Sequence, residues 1–353
     1  MPSIIASTAT YEDWLRTQLG AELVEADIAA KHARMRESAF LFLRATCWRW
    51  AELAPALCPD LVGEAMVRTP GDAHVGNFGL WRDAEGRLCW GMNDFDEAAR
   101  IAWPLDLVRL GASALLADGD GISADAVGDA ILAGYSKALQ NPLPYVLERD
   151  HLWLRDAFAA DDKMRSAFWS KLEAAPEADD VTVGIRAALQ KDMPPSCGPV
   201  KFARRQAGVG SLGRPRFVAL AEMGGAPVAR EAKRLVPSCW APDSAAGADF
   251  DISRGRWRAS DPFLHRQGDI AIRRLAPNSR KLEIDQMKGA LLVRVLDAMG
   301  RDLGAIHGDD ASVAGHVAAD LARRPKHWLS TAIANVAAAA QKDWHKWRDS
   351  GPQ

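Results

Sequence analysis

Cysteine is scarce in this chain: five in 353 residues, at Cys47, Cys58, Cys89, Cys197 and Cys239, with no Cys-x-x-Cys pair. That argues against a disulfide framework or a structural zinc site and points to a reducing compartment, the cytoplasm. An excess of either charge sign is also missing. Forty-four Lys and Arg face 46 Asp and Glu, a formal net charge of −2, which leaves no basic footprint for nucleic acid or a membrane surface. The opening Met1-Pro2-Ser3-Ile4-Ile5-Ala6-Ser7 lacks the basic and sustained apolar regions of a signal peptide. No apolar run approaches the length of a membrane-spanning helix. What remains is an ordinary globular composition, 48% hydrophobic and 25% charged, long enough for two lobes with separate cores.

The chemistry is concentrated in two acidic stretches. Gly71-Asp72-Ala73-His74-Val75-Gly76-Asn77 is the first, and Asn93-Asp94-Phe95-Asp96-Glu97 the second. Between them Gly79-Leu80-Trp81 and Arg87-Leu88-Cys89-Trp90 flank Asp83-Ala84-Glu85-Gly86, the pattern of a β-hairpin. A hairpin would carry the chain from Asp72 and Asn77 back to Asp94. Mg²⁺ takes hard oxygen ligands, few of them from protein. On this reading Asn77 and Asp94, with Asp96 beside them, hold the metal, and Asp72 serves as a base for an attacking hydroxyl.

Taken in order, Tyr11 to Leu53 is helical in pattern, and Arg44 stands out as a charge in an apolar run, structural or phosphate-binding. Met66-Val67-Arg68 reads as a strand into the Asp72 loop. Leu107–Leu116 and Ala124–Leu139 read as helices, followed by further helices between 151 and 192. Met193-Pro194-Pro195-Ser196-Cys197-Gly198-Pro199 is the clearest break, and a lobe boundary is placed there. Beyond it the pattern turns strand-like. Gly208, Gly210 and Gly213, with Ser211 between them, separate two strand candidates, so that backbone N–H groups can approach a phosphate. Pro215 and a β-prone run follow, not the helix that a dinucleotide fold requires. Val228–Leu235 is the next strand candidate and offers Lys233 for nucleotide phosphates, with Arg230 and Arg234 leaving its register open. Asp251 is the candidate carboxylate for that lysine. Asp269–Leu275 reads as a strand bordering the nucleotide pocket, with Arg273 in reach of phosphate or a solvated strand face. Ile284–Gly304 is a long amphipathic helix, His307 caps its end, and Val313–Trp347 is helical again.

Gly-Asp-x-His-x-x-Asn followed by Asp-Phe-Asp resembles the catalytic and metal loops of aminoglycoside-phosphotransferase-type kinases. The resemblance implies catalytic roles for Asp72, His74 and Asn77, and makes Asp106, in Trp103-Pro104-Leu105-Asp106-Leu107, a brace behind the catalytic loop. The chain as a whole also resembles a bacterial group, domain-of-unknown-function family 2252. The matching positions are Lys31, Met35, Phe42-Leu43-Arg44, Gly71–Gly79, Asn93–Glu97, Gly208–Gly213 and Arg273–Leu275. Lys233-Arg234-Leu235 and Ala305-Ile306-His307-Gly308 depart from that group's pattern.

In kinases the glycine loop and lysine precede the catalytic loop; here they follow it. The expectation is therefore an α+β, protein-kinase-like two-lobed fold in circularly permuted order. Residues 1–195 and 277–353 would build a large helical lobe and 196–276 a small β-rich nucleotide lobe. The implied activity is ATP- and Mg-dependent phosphorylation of a hydroxyl on a small molecule, with Gly208, Gly210, Ser211, Gly213, Lys233 and Arg273 binding the nucleotide. A nucleotide-binding pseudokinase and a metallophosphoesterase using Asp72 and His74 as ligands are the alternatives.

Overall fold

The computed structural model describes residues 1–118, 121–279 and 289–351. It is α+β, with helices predominating over three small antiparallel sheets. The helical front end comprises α1 (Ile4–Leu19), α2 (Glu25–Glu37), α3 (Ala39–Ala45) and α4 (Cys47–Leu57). Ser3 and Ser38 cap α1 and α3 by accepting the N–H of Ala6 and Leu41. Next come β1 (Met66–Thr69), β2 (Phe78–Arg82), β3 (Leu88–Met92) and β4 (Ala99–Ala102). As expected, β2 and β3 form a hairpin, with Phe78 opposite Met92; β1 pairs with β4, a partner the sequence pattern did not announce.

Helices α5 (Pro104–Asp118) and α6 (Ala124–Gln140) follow, then β5 (Tyr145–Val146) on the edge of β3, and α7 (Leu152–Phe158), α8 (Asp162–Glu173) and α9 (Val183–Asp192). The largest sheet holds β6 (Lys201–Arg204), β7 (Arg216–Met223), β8 (Ala226–Arg234), β9 (His265–Gln267) and β10 (Ile270–Leu275), in the order β6-β7-β8-β10-β9. Its alternating side chains bury Phe202, Phe217, Ala232 and Ile272 against Ile185 and Leu189 of α9. The other face packs Val218, Ala229 and Leu275 against Phe168 and Trp169 of α8. The sheet's packing unit thus reaches upstream of the Pro-rich break into α8 and α9.

The chain closes with α10 (Gly289–His307), α11 (Ala311–Arg323) and α12 (Trp328–Asp349). The part of the expected helix from Ile284 to residue 288 lies outside the described residues. These helices return to the front half: α10 packs along α6 and α12 along α5, within one core that also holds Trp90, Trp103 and Phe78. The approach of α6 and α10 depends on glycine. A Cβ on Gly134 would sit 1.8 Å from the Asp297 carbonyl oxygen, and one on Gly300 2.1 Å from that of Ile131. No described helix is long and apolar enough to cross a membrane.

Gly300→Ala should therefore destabilise the fold by about 1–3 kcal/mol or more through overpacking. Gly315→Ala, in α11 with open space around it, should stabilise by about 0.5–1 kcal/mol by restricting the unfolded chain. Urea denaturation of both variants checks the pair, and equal effects would contradict the close helix contact.

Candidate functional site

Strand β1 delivers the chain to Gly71, whose φ of +73° and position 2.1 Å (from an added Cβ) to the Glu97 carbonyl oxygen admit only glycine. The turn is held from behind by Asp106, fully buried at the start of α5, which accepts the Gly71 N–H at 3.3 Å and the Thr69 hydroxyl. His307 at the end of α10 joins this brace. Its Nε2 lies 2.9 Å from Thr69 Oγ1 and its Nδ1 2.9 Å from the Tyr135 hydroxyl. His307 thus lies at the helix end expected for it and is a buried structural group there, while Asp106 takes the expected bracing position.

Within the loop, His74 Nδ1 accepts the Gly76 N–H at 3.1 Å, and Asn77 Nδ2 donates to the Asp72 carbonyl oxygen at 2.9 Å. The Asn93 N–H donates to the Asn77 carbonyl at 2.9 Å. That bond continues the β2–β3 ladder and brings the two acidic stretches side by side, as the hairpin reading requires.

Asp72 is clamped by a residue that sequence reasoning missed. Arg109, on α5 and 2% exposed, places Nε 2.6 Å from Asp72 Oδ1 and anchors its other end on the Leu43 carbonyl at 2.9 Å. Burial pushes the Asp72 carboxyl up to about 6, Arg109 opposing the rise and Glu97 and Asp94 adding to it. The available signal was a lone arginine in the apolar run Leu107-Val108-Arg109-Leu110.

The opposite wall comes from the large sheet. The glycine turn between β6 and β7 lies against α2 and α3: Lys31 Nζ donates to the Gly210 carbonyl at 3.2 Å, and a Cβ on Gly210 would stand 3.0 Å from the Arg44 carbonyl. Gly213, at φ +96°, has no room for a Cβ beside Ile28. Burial brings the Lys31 amine down to about 7, Arg214 adding to the effect; the side chain sits over the rings of Tyr11 and Trp48. Ser211 Oγ accepts from Arg216 at 2.7 Å.

Strand alternation settles the lysine register. Lys233 is buried and turned to the acidic loop, in contact with Asp96 and 3.7 Å from Asp94 Oδ1. Arg230 pairs with Asp192, and Arg234 with Glu22 and Asp269. Asp251 does not hold the lysine: it pairs with Arg68 on β1. Asp96, expected among the metal ligands, is engaged by Lys233 and lies 3.6 Å from Arg214; burial and the neighbouring Asp94 push its carboxyl up against those cations. Burial would raise Glu97 too, but Arg214 at 2.8 Å and the Cys239 N–H hold it below the usual range. Arg214 is the second functional cation that sequence reasoning missed.

Asp72, Asn77 and Asp94 face Gly208, Gly210 and Arg214 across one cleft of about 570 Å³ with its open mouth included, with Arg44 and His74 also on its wall. Arg273 lies on a smaller adjoining pocket with Asp94 and Lys233. A profile of one family, described as an uncharacterized protein conserved in bacteria (DUF2252), matches residues 23–165 and 200–350. The chain belongs to that family. The DUF2252 match takes in both acidic loops, the glycine turn, Lys233, Arg109 and the α10 brace, and omits residues 166–199, where α9 covers the sheet. Comparison with curated proteins and with solved structures returns no match.

Removing Arg109 leaves a desolvated carboxylate without its cation. Below about pH 6 Asp72 is protonated and needs no counter-charge; above it the ionised form does. Arg109→Ala should therefore cost about 3–5 kcal/mol of stability near pH 8 and distinctly less near pH 5. Denaturation curves at the two pH values test this, and a pH-independent loss would contradict the pairing.

Proposed function

We propose that this protein is a phosphotransferase that uses Mg²⁺ and ATP to phosphorylate a hydroxyl group of a small molecule, with a kinase-like pair of lobes in permuted order. The observation that carries the reading is the shared cleft. Asp72, Asn77 and Asp94 from the front of the chain face a glycine turn from its later half, and a lysine on the third strand of that sheet reaches the same acidic loop. A glycine-rich loop over phosphates, a third-strand lysine, a metal-binding carboxylate and amide, and a base aspartate are the parts that protein kinases use. The preference for a small acceptor rests on the Asp72 loop's resemblance to aminoglycoside-type kinases.

The donor set suits a hard cation: Asp94 and Asn77 both line the cleft, and their side chains carry a carboxylate and an amide oxygen. Bound there, Mg²⁺ would neutralise charge on the transferred phosphoryl group. Asp72 accepts the proton of the acceptor hydroxyl, and Arg109 fixes the carboxylate's direction. The glycine turn lets backbone N–H groups approach the phosphates, and Lys233 supplies positive charge once they compete with Asp96 for it. Arg109's grip on Asp72 favours a second reading, a pseudokinase that binds nucleotide without transfer, because the cation opposes the basicity that burial gives the carboxylate. The metallophosphoesterase reading is disfavoured, since His74 Nδ1 is taken by the Gly76 N–H within its own loop.

With ATP, Mg²⁺ and an acceptor found by metabolite screening, ADP release should fall at least about 100-fold in Asp72→Asn. In the wild type it should rise with pH through about 6, as Asp72 loses its proton. Undiminished turnover by Asp72→Asn would overturn the role of Asp72. Nucleotide binding with no transfer to any acceptor would favour the pseudokinase.

A further inference from the structure

Behind the Asp72 loop lies a second cavity, of about 1060 Å³ with its open mouth included, that shares no lining residue with the main cleft. Its walls come from β1, β4, the segment after Phe250–Arg254 and the junction of α10 with α11. Four arginines converge on it: Arg68, Arg100, Arg256 and Arg258. Two are already satisfied. Arg68 pairs with Asp249 and Asp251, and Arg258 with Asp302 and the Met92 carbonyl. Arg100 and Arg256 form no ion pair among the described residues. Arg100 stands directly across the β1–β4 ladder from Arg68, a like-charge pairing that is destabilising by itself and is offset here by Asp249 and Asp251 on Arg68 and by Asp310 near Arg100. Arg256 lies over the Trp257 ring at 4.4 Å, while its backbone N–H is taken by Asp309 at 2.7 Å. Arg256 is exposed on the cavity wall.

We infer that this cavity is a second binding site, for a small phosphorylated anion held by Arg100 and Arg256. Planar guanidinium forks match phosphate oxygens two at a time. His307 lies on its wall and reaches the Asp72 loop through Thr69, Asp106 and the Gly71 N–H. Occupancy of the cavity therefore touches the brace on which that loop rests. The inference concerns binding alone and stands whether or not the main cleft transfers phosphate.

Inorganic pyrophosphate is the probe, titrated by calorimetry into the full-length protein without nucleotide. Arg100→Ala with Arg256→Ala should weaken its binding at least about tenfold, the scale of one or two lost charge-assisted hydrogen bonds. Lys233→Met, at a residue that does not line this cavity, should leave it unchanged in the folded variant. Circular dichroism checks that the variants fold; should the double alanine variant fail, Arg100→Lys with Arg256→Lys keeps the charge, removes the fork and should still weaken binding. Two outcomes overturn the inference: no binding of pyrophosphate at millimolar concentration, or binding that survives the arginine variants and disappears in Lys233→Met.

Discussion

Asp72, Asp94, Asp96 and Glu97 are gathered into one largely buried cleft, where Glu97 and Asp94 raise the cost of ionising Asp72 and Asp94 raises that of Asp96. Carboxylates so placed need cations, and here those cations come from distant parts of the chain. Arg109 on α5 holds Asp72, Lys233 on β8 holds Asp96, and Arg214 beside the glycine turn holds Glu97. These ion pairs do more than balance charge. The Lys233 and Arg214 pairs tie the acidic loops of the front half to the sheet and glycine turn of the later half, so the cleft and the docking of the two halves have the same origin. Single removal of a partner from such a pair is far more damaging than its net worth suggests, because the charge left behind stays desolvated.

The same economy of contacts explains the rigid rear of the site. Gly71 must turn where no side chain fits, and its N–H is fixed by a buried aspartate that is itself held by Thr69 and His307. Through His307 the brace extends into α10, whose close glycine-lined contact with α6 sets its position. The last helices of the chain thus support a loop near its beginning.

Features written in a local pattern were legible in the sequence. The hairpin between the acidic stretches, the glycine turn between two strands and the strand carrying Lys233 all depend on nearby residues, and each lies where the pattern put it, whereas the Asp106 brace came from the family resemblance. Partners brought together by the fold were not legible. Nothing local says that Arg109 reaches Asp72 or that Arg214 reaches Glu97, and a local search for the carboxylate of Lys233 led to Asp251, which in fact meets Arg68. The Pro-rich break was read as a boundary because proline and glycine interrupt helices. The packing of α8 and α9 on the sheet is a matter of tertiary burial, which that signal does not carry.

The account rests on the cleft between the acidic loops and the glycine turn being a metal–nucleotide site. Calorimetric titration of a non-hydrolysable ATP analogue, with and without Mg²⁺, into the wild type and Asp94→Asn tests this most directly. Binding that requires Mg²⁺ and weakens at least about tenfold in Asp94→Asn is the predicted result. No binding, or binding indifferent to both the metal and Asp94, would contradict it.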